Sequence, residues 1–190
     1  MNKQHLIDEI LDLELAMFLA VKTDQPAPCR EDPAAFKKNR SAQFQTWSVE
    51  TLASYRNDLE TAAREERNLM TLKYARMENL IPPLNTNSVI GEIVRVNVLW
   101  QKEMAGKYPN LISRGRPIDA GNDSRVTSFQ TYLASELETY SDVTLASLFN
   151  DIQEFQERNE NMMEKVYEHL VKGLGYRSIQ EAEEAAGKRG

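Results

Sequence analysis

The sequence predicts an all-α protein, a single-domain bundle of about six helices organised around one long central helix. Three observations support this fold class. Residues 48–79 contain no proline or glycine and are rich in good helix formers. Apolar residues recur there and elsewhere at steps of three and four, which places them on one face of a helix. With 41% apolar residues, the 190-residue chain can bury one sizeable core, so residues 1–190 are expected to form one domain.

The central helix is predicted to begin after Ser48, a good N-cap residue, and to end before Pro82. At 1.5 Å per residue it would be roughly 48 Å long. Glu66 falls on its apolar face, where a solvated acid is not expected. Two explanations stay open: Glu66 pairs with an arginine or tyrosine of another helix or reaches solvent at the edge of the face, or it belongs to a polar site inside the bundle. The apolar face comprises Leu52, Tyr55, Leu59, Ala62, Ala63, Leu69, Met70, Tyr74 and Met77.

The remaining helices follow from caps, periodicity and proline or glycine stops. The segment of residues 23–33, which leads from the first helix into the second, contains three prolines and is predicted to be a loop. The second helix carries a basic cluster, Lys37, Lys38 and Arg40, which is predicted to be a solvated face. No internal repeat is evident. The predicted helices are residues 3–22, 33–47, 48–79, 89–107, 128–141 and 142–173, with the core spanning about 3–175 and a short acidic helix and frayed tail at 176–190.

Composition excludes several classes of protein. The net charge of −6 argues against sequence-independent binding of nucleic acid, which requires clustered Lys and Arg. No stretch approaches 18 consecutive apolar residues, so no membrane association is predicted. A single cysteine, Cys29, excludes an internal disulfide and fits a reducing compartment. We therefore expect a cytoplasmic protein. Cys29 has no partner histidine nearby in sequence, so a structural role is favoured over reactivity.

Five polar residues interrupt the apolar faces near the middles of the predicted helices: Glu14, Glu66, Asn97, Glu136 and Asn159. Some should meet inside a bundle, where carboxylate sites are built from facing helices. The only histidines, His5 and His169, do not follow a glutamate by three residues, as carboxylate-bridged iron sites require. No nucleophile elbow or phosphate-binding loop occurs. We predict no metal and no cofactor, and the sequence leaves open whether the protein is an enzyme.

A long loop, residues 108–125, carries Arg114-Gly115-Arg116, two guanidinium groups that suit a carboxylate or phosphate.

Two functional classes stay open. One is a binding or interaction module without catalytic activity, with a homo-oligomer as one form of it. The alternative is a bundle that binds or hydrolyses a small anionic ligand, using buried carboxylates and the Arg-Gly-Arg loop. Its candidate ligand-binding residues are Glu14, Glu66, Tyr74, Arg114, Arg116 and Glu136.

Several segments together resemble a known family. They are ELAMF and PCRED near the start, RSAQFQTW, SYRNDL and ERNLMTLKYARME in the middle, and TSFQTYLASELETYSDVTL further on. These segments are similar to domain-of-unknown-function family 4125, over about residues 7–149. The resemblance implies a bacterial, cytoplasmic and largely helical protein. It assigns no catalytic or binding role to any residue.

Overall fold

The structure, a computed structural model, describes residues 2–21, 32–119 and 127–188. These segments form ten helices and contain no strand, which confirms the all-α class. The predicted arrangement of about six helices around one long helix is not confirmed. The helices are α1 (Lys3–Leu19), α2 (Pro33–Phe44), α3 (Val49–Arg64), α4 (Leu69–Met77), α5 (Val89–Lys107), α6 (Pro109–Ile112), α7 (Phe129–Leu137), α8 (Asp142–Glu157), α9 (Met162–Gly173) and α10 (Ile179–Gly187).

The predicted central helix is broken between α3 and α4. Glu66 adopts a left-handed backbone conformation, with φ of 55°, and the N–H of Arg67 donates to the carbonyl of Ala62, which closes the end of α3. Asn68 then caps α4 by accepting from the N–H of Thr71. Glu66 is therefore exposed at a helix terminus, and its predicted place on a buried face is wrong. The signal that was missed is Asn68, a strong N-cap residue inside an apparently continuous helix.

The same break recurs 93 residues later, because the chain contains an internal repeat. The segments SVETLASYRND (48–58) and SDVTLASLFND (141–151) share seven of eleven residues: Ser, Thr, Leu, Ala, Ser, Asn and Asp. Helix α8 has the bounds of α3 shifted by 93, and Asn159 repeats the left-handed turn of Glu66 with φ of 53°. Asn161 caps α9 as Asn68 caps α4. The expectation of no internal repeat is therefore wrong.

Helices α1 and α5 occupy equivalent places in the two repeats. The side-chain amide of Asn68 donates to the carbonyl of Met17 in α1 at 2.8 Å, and that of Asn161 donates to the carbonyl of Trp100 in α5 at 3.2 Å. This shared bond sets the correspondence between α1 and α5 at 83 residues. We call α1–α4 the first half and α5 with α7–α9 the second half.

An approximate two-fold axis relates the halves. The carboxylate of Asp151 in α8 accepts from the N–H of Ser48 at 2.9 Å and from the hydroxyl of Thr51 at 2.7 Å, at the start of α3. In the equivalent reverse contact, the carboxylate of Asp58 accepts from the N–H of Ser141 and the hydroxyl of Thr144 at 3.0 and 2.6 Å. Each helix thus contributes a carboxylate to the N-terminal cap of the other. A negative charge at the start of a helix is stabilising, because it interacts favourably with the helix dipole.

The interior near this axis is aromatic. Trp47 and Tyr140, which occupy equivalent positions in the two halves, pack edge to face with their ring centroids 6.2 Å apart. Across the axis α2 packs on α9, and α7 packs on α4. Helices of the two halves therefore pack directly on each other and share one apolar core.

Helices α6 and α10 lie outside the repeat. The carboxylate of Glu183 in α10 accepts from the backbone N–H groups of Asn110 and Leu111 in α6, at 3.0 and 2.7 Å. Arg114 donates to the carbonyl of Ala186 in α10 at 2.7 Å. These bonds attach the C-terminal helix to the loop that follows α5. No helix in the described ranges has the length and apolar content needed to cross a membrane.

Candidate functional site

A buried ionic network fills the interior between the first half and α7. Arg40 in α2 forms a two-pronged ion pair with Glu14 in α1, with Nε to Oε2 at 2.8 Å and Nη2 to Oε1 at 2.6 Å. The hydroxyl of Tyr55 in α3 donates to Oε1 of Glu14 at 2.6 Å. Glu14 is fully buried. The bonds to Arg40 and Tyr55 satisfy both of its oxygens, as a buried carboxylate requires.

The network continues to Glu136 in α7. Arg40 Nη1 lies 2.9 Å from Oε1 of Glu136, and Lys73 of α4 donates from Nζ to Oε2 at 2.6 Å. The hydroxyl of Tyr140 donates to Oε1 at 2.7 Å. Lys73 also donates to the hydroxyl of Tyr132 at 2.5 Å. Two carboxylates and two cations therefore balance, and none of the four side chains is more than 7% exposed.

The surroundings favour the charged forms of Glu136, Lys73 and Arg40 and the protonated forms of Tyr55 and Tyr140. Burial alone raises the pKa of the Glu136 carboxyl, but Arg40 and Lys73 outweigh burial and hold it well below its usual range. Burial lowers the pKa values of Lys73 and Arg40, and the neighbouring carboxylates more than compensate, so both are raised. Burial, followed by the nearby carboxylates, raises the pKa of Tyr55 and Tyr140, so both remain hydroxyl donors.

Arg40 was predicted to lie on a solvated face, and that prediction is wrong. It lies four residues after Phe36 and four before Phe44, so all three side chains share the inward face of α2. Lys37 lies on another face and forms an ion pair with Asp12. The spacing of the two phenylalanines is the signal that identifies Arg40 as buried.

The equivalent interior of the second half contains a cavity. Leu133, Leu148 and Val166 occupy the positions of Arg40, Tyr55 and Lys73, each 93 residues later. Asn97 occupies the position of Glu14, through the correspondence of α1 and α5. Every charged member has a shorter or uncharged counterpart, and a cavity of about 250 Å³ remains between α2, α5, α7, α8 and α9. Its apolar lining comprises Trp47, Ile93, Phe129, Leu133, Leu148, Ile152, Met162, Met163, Val166 and Leu170.

Polar groups line two regions of this cavity. In one region, the amide of Gln101 in α5 donates to the hydroxyl of Tyr167 in α9 at 3.1 Å. Gln101 Oε1 is buried, and no partner for it occurs among the described residues. In the other, exposed Arg116 stacks on Tyr132 with its guanidinium carbon 5.0 Å from the ring centroid. Glu136 also lines the cavity, but its oxygens already accept from the ionic network.

The structure brings together some of the six predicted site residues. Glu14 and Glu136 meet through Arg40, and Arg116 lines the cavity together with Glu136. Tyr74 lies beside Lys73, 5.8 Å from its ammonium group, and does not line the cavity.

The other two predicted residues lie elsewhere. Arg114 is bonded to α10, and Glu66 is exposed at the end of α3, so neither of them joins the buried Glu14. Cys29 lies outside the described residues.

Sequence reasoning missed most of the residues that form the two interiors. They are Arg40, Tyr55, Lys73 and Tyr140 in the network and Gln101 and Tyr167 in the cavity. The repeat is the signal for Arg40, Tyr55 and Lys73, because it aligns them with Leu133, Leu148 and Val166 of the cavity lining. In the described ranges, no group of three or more His, Cys, Asp or Glu side chains is arranged to hold a metal ion.

The fold and site define an all-α protein built from a duplicated helical unit, with an ionic network in one half and a cavity in the other. The chain belongs to a family described as protein of unknown function (DUF4125), whose model matches residues 4–184. This confirms the family suggested by the sequence. No curated protein and no solved structure matches the chain.

Proposed function

We propose that this protein is a binding module for a small molecule, and that the cavity of the second half is the ligand site. The observation that carries the proposal is the contrast between equivalent positions. A buried network fills the first half, whereas short and uncharged side chains leave about 250 Å³ in the second. Well-packed proteins rarely keep voids of this size, and cavities of roughly 300–1,000 Å³ are typical of ligand sites. The volume suits a small metabolite.

The lining supports a ligand with an apolar body and an anionic group. Ten apolar side chains form the walls, and two adjacent methionines, Met162 and Met163, allow the walls to adapt to shape. Arg116 is the cation at the surface end of the cavity, and its bond to the carbonyl of Thr127 is long, at 3.5 Å. Its guanidinium is therefore well placed to bind a carboxylate or phosphate.

Binding without hydrolysis fits the carboxylates better than the hydrolytic alternative. Each oxygen of Glu14 and Glu136 already accepts from Arg40, Lys73 or a tyrosine. A general base needs an oxygen within reach of the substrate proton. The bonds within the network occupy those oxygens. The two carboxylates therefore serve to hold α2 and α7, which line the cavity, in place.

The test uses 2-naphthoate, an anionic aromatic compound of suitable size, and isothermal titration calorimetry. We expect it to bind the wild-type protein and to raise its unfolding temperature, since a ligand at a hundred times its dissociation constant adds about 2.7 kcal/mol of stability. Val166→Phe fills the cavity and should abolish binding. Val143→Phe places the same change on an exposed part of α8 and should leave binding intact.

An absence of binding by 2-naphthoate and by neutral aromatic compounds of the same size would contradict the proposal. So would equal binding to the wild-type protein and the Val166→Phe variant. Arg116→Gln should weaken 2-naphthoate about tenfold and leave a neutral compound unaffected, because only the anion uses the guanidinium group.

The proposal retains the other expectations drawn from the sequence. We propose a cytoplasmic bacterial protein that does not bind nucleic acid, on the basis of its single cysteine, its family resemblance and its acidic charge. A homo-oligomer stays a separate proposal. Light scattering coupled to size-exclusion chromatography tests it directly, and a strict monomer would contradict it.

A further inference from the structure

The pair formed by Gln101 and Tyr167 lies in the wall of the cavity and has hydrogen-bonding capacity left over. Gln101 is 5% exposed and projects from α5, and Tyr167 projects from α9 opposite it. One hydrogen bond of 3.1 Å joins Nε2 of Gln101 to the hydroxyl of Tyr167. Burial raises the pKa of the Tyr167 hydroxyl, so its proton is retained.

Counting donors and acceptors shows what the pair offers. With Nε2 donating to the hydroxyl oxygen, Gln101 Oε1 remains as an acceptor, and the second amide N–H and the Tyr167 O–H remain as donors. If the amide turns by 180°, the hydroxyl donates to Oε1, and the two amide N–H groups and a lone pair of the hydroxyl remain. Either arrangement leaves at least one donor and one acceptor on two neighbouring side chains that line the cavity.

The equivalent position in the first half shows that this polarity is not needed for packing. The correspondence of α1 and α5 places Phe18 where the second half has Gln101. Phe18 is buried and stacks on Phe36 with ring centroids 4.7 Å apart. The position that holds an aromatic packing residue in the first half thus holds a buried amide in the second half. The oxygen of that amide has no partner among the described residues. Leaving such an atom unpaired is costly, so a partner is required.

We infer that the ligand is a planar ring compound with an amide-type edge, an N–H group next to a carbonyl, which pairs with Gln101 and Tyr167. This inference rests on the proposed function and names the chemical class of the ligand. A lactam or a heterocyclic base carries such an edge. Trp47, Phe129 and Tyr132 in the cavity lining suit a flat ring, because aromatic faces stack. Arg116, which also lines the cavity, offers a partner for an anionic substituent on the ring.

The experiment compares two probes that differ at one position. Quinolin-2-one has the N–H and carbonyl edge, and 1-methylquinolin-2-one replaces that N–H by a methyl group. Calorimetric titration of the wild-type protein should show that quinolin-2-one binds at least tenfold more tightly. The reason is that the methyl compound leaves a buried acceptor unpaired.

Three variants locate the effect. Gln101→Leu removes the amide at similar volume and should reduce the ratio of the two affinities to below twofold, and Tyr167→Phe should reduce it partly. Tyr74→Phe makes the change at the equivalent position of the first half and should leave the ratio unchanged. Melting temperatures check that each variant is folded, and Gln101→Met replaces Gln101→Leu if the leucine variant does not fold.

The outcomes separate the inference from the proposed function. Equal affinities of the two probes for the wild-type protein, or a ratio that survives Gln101→Leu, would overturn the inference and mean that a water molecule satisfies Gln101. The cavity would then still be a binding site for an apolar ring. If neither probe binds while 2-naphthoate does, the inference fails and the proposed function stands. If none of the three compounds binds, both fail.

Discussion

The two halves of this protein have one backbone plan and two different interiors. Glu14, Arg40 and Lys73 of the first half form a buried network with Glu136 of α7, and this network has no net charge. The second half carries Asn97, Leu133 and Val166 at the positions of Glu14, Arg40 and Lys73, and a cavity forms. Gln43 of α2 occupies the position equivalent to that of Glu136. All four charges are therefore absent together, which avoids leaving any of them unpaired.

This comparison shows that two copies of one helical unit can have interiors of different kinds. One copy contains a network that joins five chain segments, and the other copy carries shorter side chains at the equivalent positions. Glu136 belongs to both, because it accepts from Lys73 and also lines the cavity. The ordered half therefore supports one wall of the cavity in the other half.

The largest expected effect comes from breaking the network at its central cation. Arg40→Leu, the residue of the equivalent position, leaves Glu14 buried with only Tyr55 as a partner. We expect a loss of about 3–5 kcal/mol in the free energy of unfolding, measured by urea denaturation with an unchanged slope.

The double variant Glu14→Asn with Arg40→Leu sharpens this test. It reproduces two positions of the second half and removes one negative and one positive charge together. We expect it to be more stable than Arg40→Leu alone. If the double variant is the less stable of the two, the network is not held together by charge balance and the comparison of the halves fails.

The next prediction concerns acid stability. The pKa of Glu136 is lowered in the folded state, so its contribution to stability is present above its unfolded pKa of about 4.5 and is lost as the pH falls toward the folded value. Stability measured from pH 6 down to pH 2 should therefore decline below about pH 4.5. In Glu136→Gln the decline should be shallower, and an identical slope would contradict the assignment.

A smaller effect is expected at the reciprocal caps between α3 and α8. Asp151→Ala and Asp58→Ala each remove two hydrogen bonds from the start of the other helix. We expect each change to cost about 2 kcal/mol in thermal or urea unfolding. The two costs should be similar, because the contacts are equivalent. A cost confined to one of them would show that the approximate two-fold symmetry has no energetic meaning.

The smallest effect lies at the two left-handed turns. Glu66 adopts φ of 55°, and the equivalent residue of the second half is Asn159. Asparagine tolerates this left-handed conformation better than glutamate does. We expect Glu66→Asn to raise the free energy of unfolding by up to about 1 kcal/mol. Asn159→Glu should lower it by a similar amount, and a gain on that substitution would contradict the explanation.

Part of this architecture could be predicted from the sequence. Periodicity and caps indicate helices correctly, and Glu14 and Glu136 stand out because they interrupt apolar faces. The breaks at Glu66 and Asn159 were missed, since a left-handed turn between two good helical segments changes only a few residues. Recognition of Asn68 and Asn161 as equivalent caps would have revealed both breaks and the repeat.

The cavity could not be predicted in the same way. A cavity is defined by side-chain volume missing between helices, and each of Leu133, Leu148 and Val166 is an ordinary apolar core residue in sequence. Only the comparison with Arg40, Tyr55 and Lys73 shows that their side chains are short for their positions. That comparison requires the three-dimensional correspondence of the two halves.

The most direct test of the central claim is a methyl NMR titration of the protein labelled at its methionine methyl groups, with 2-naphthoate as the probe. Met162 and Met163 line the cavity, and Met70, the equivalent of Met163, lies in the first half. We predict saturable shifts at Met162 and Met163 and none at Met70. Unchanged spectra, or shifts of equal size in both halves, would contradict the claim that the second half is the binding half.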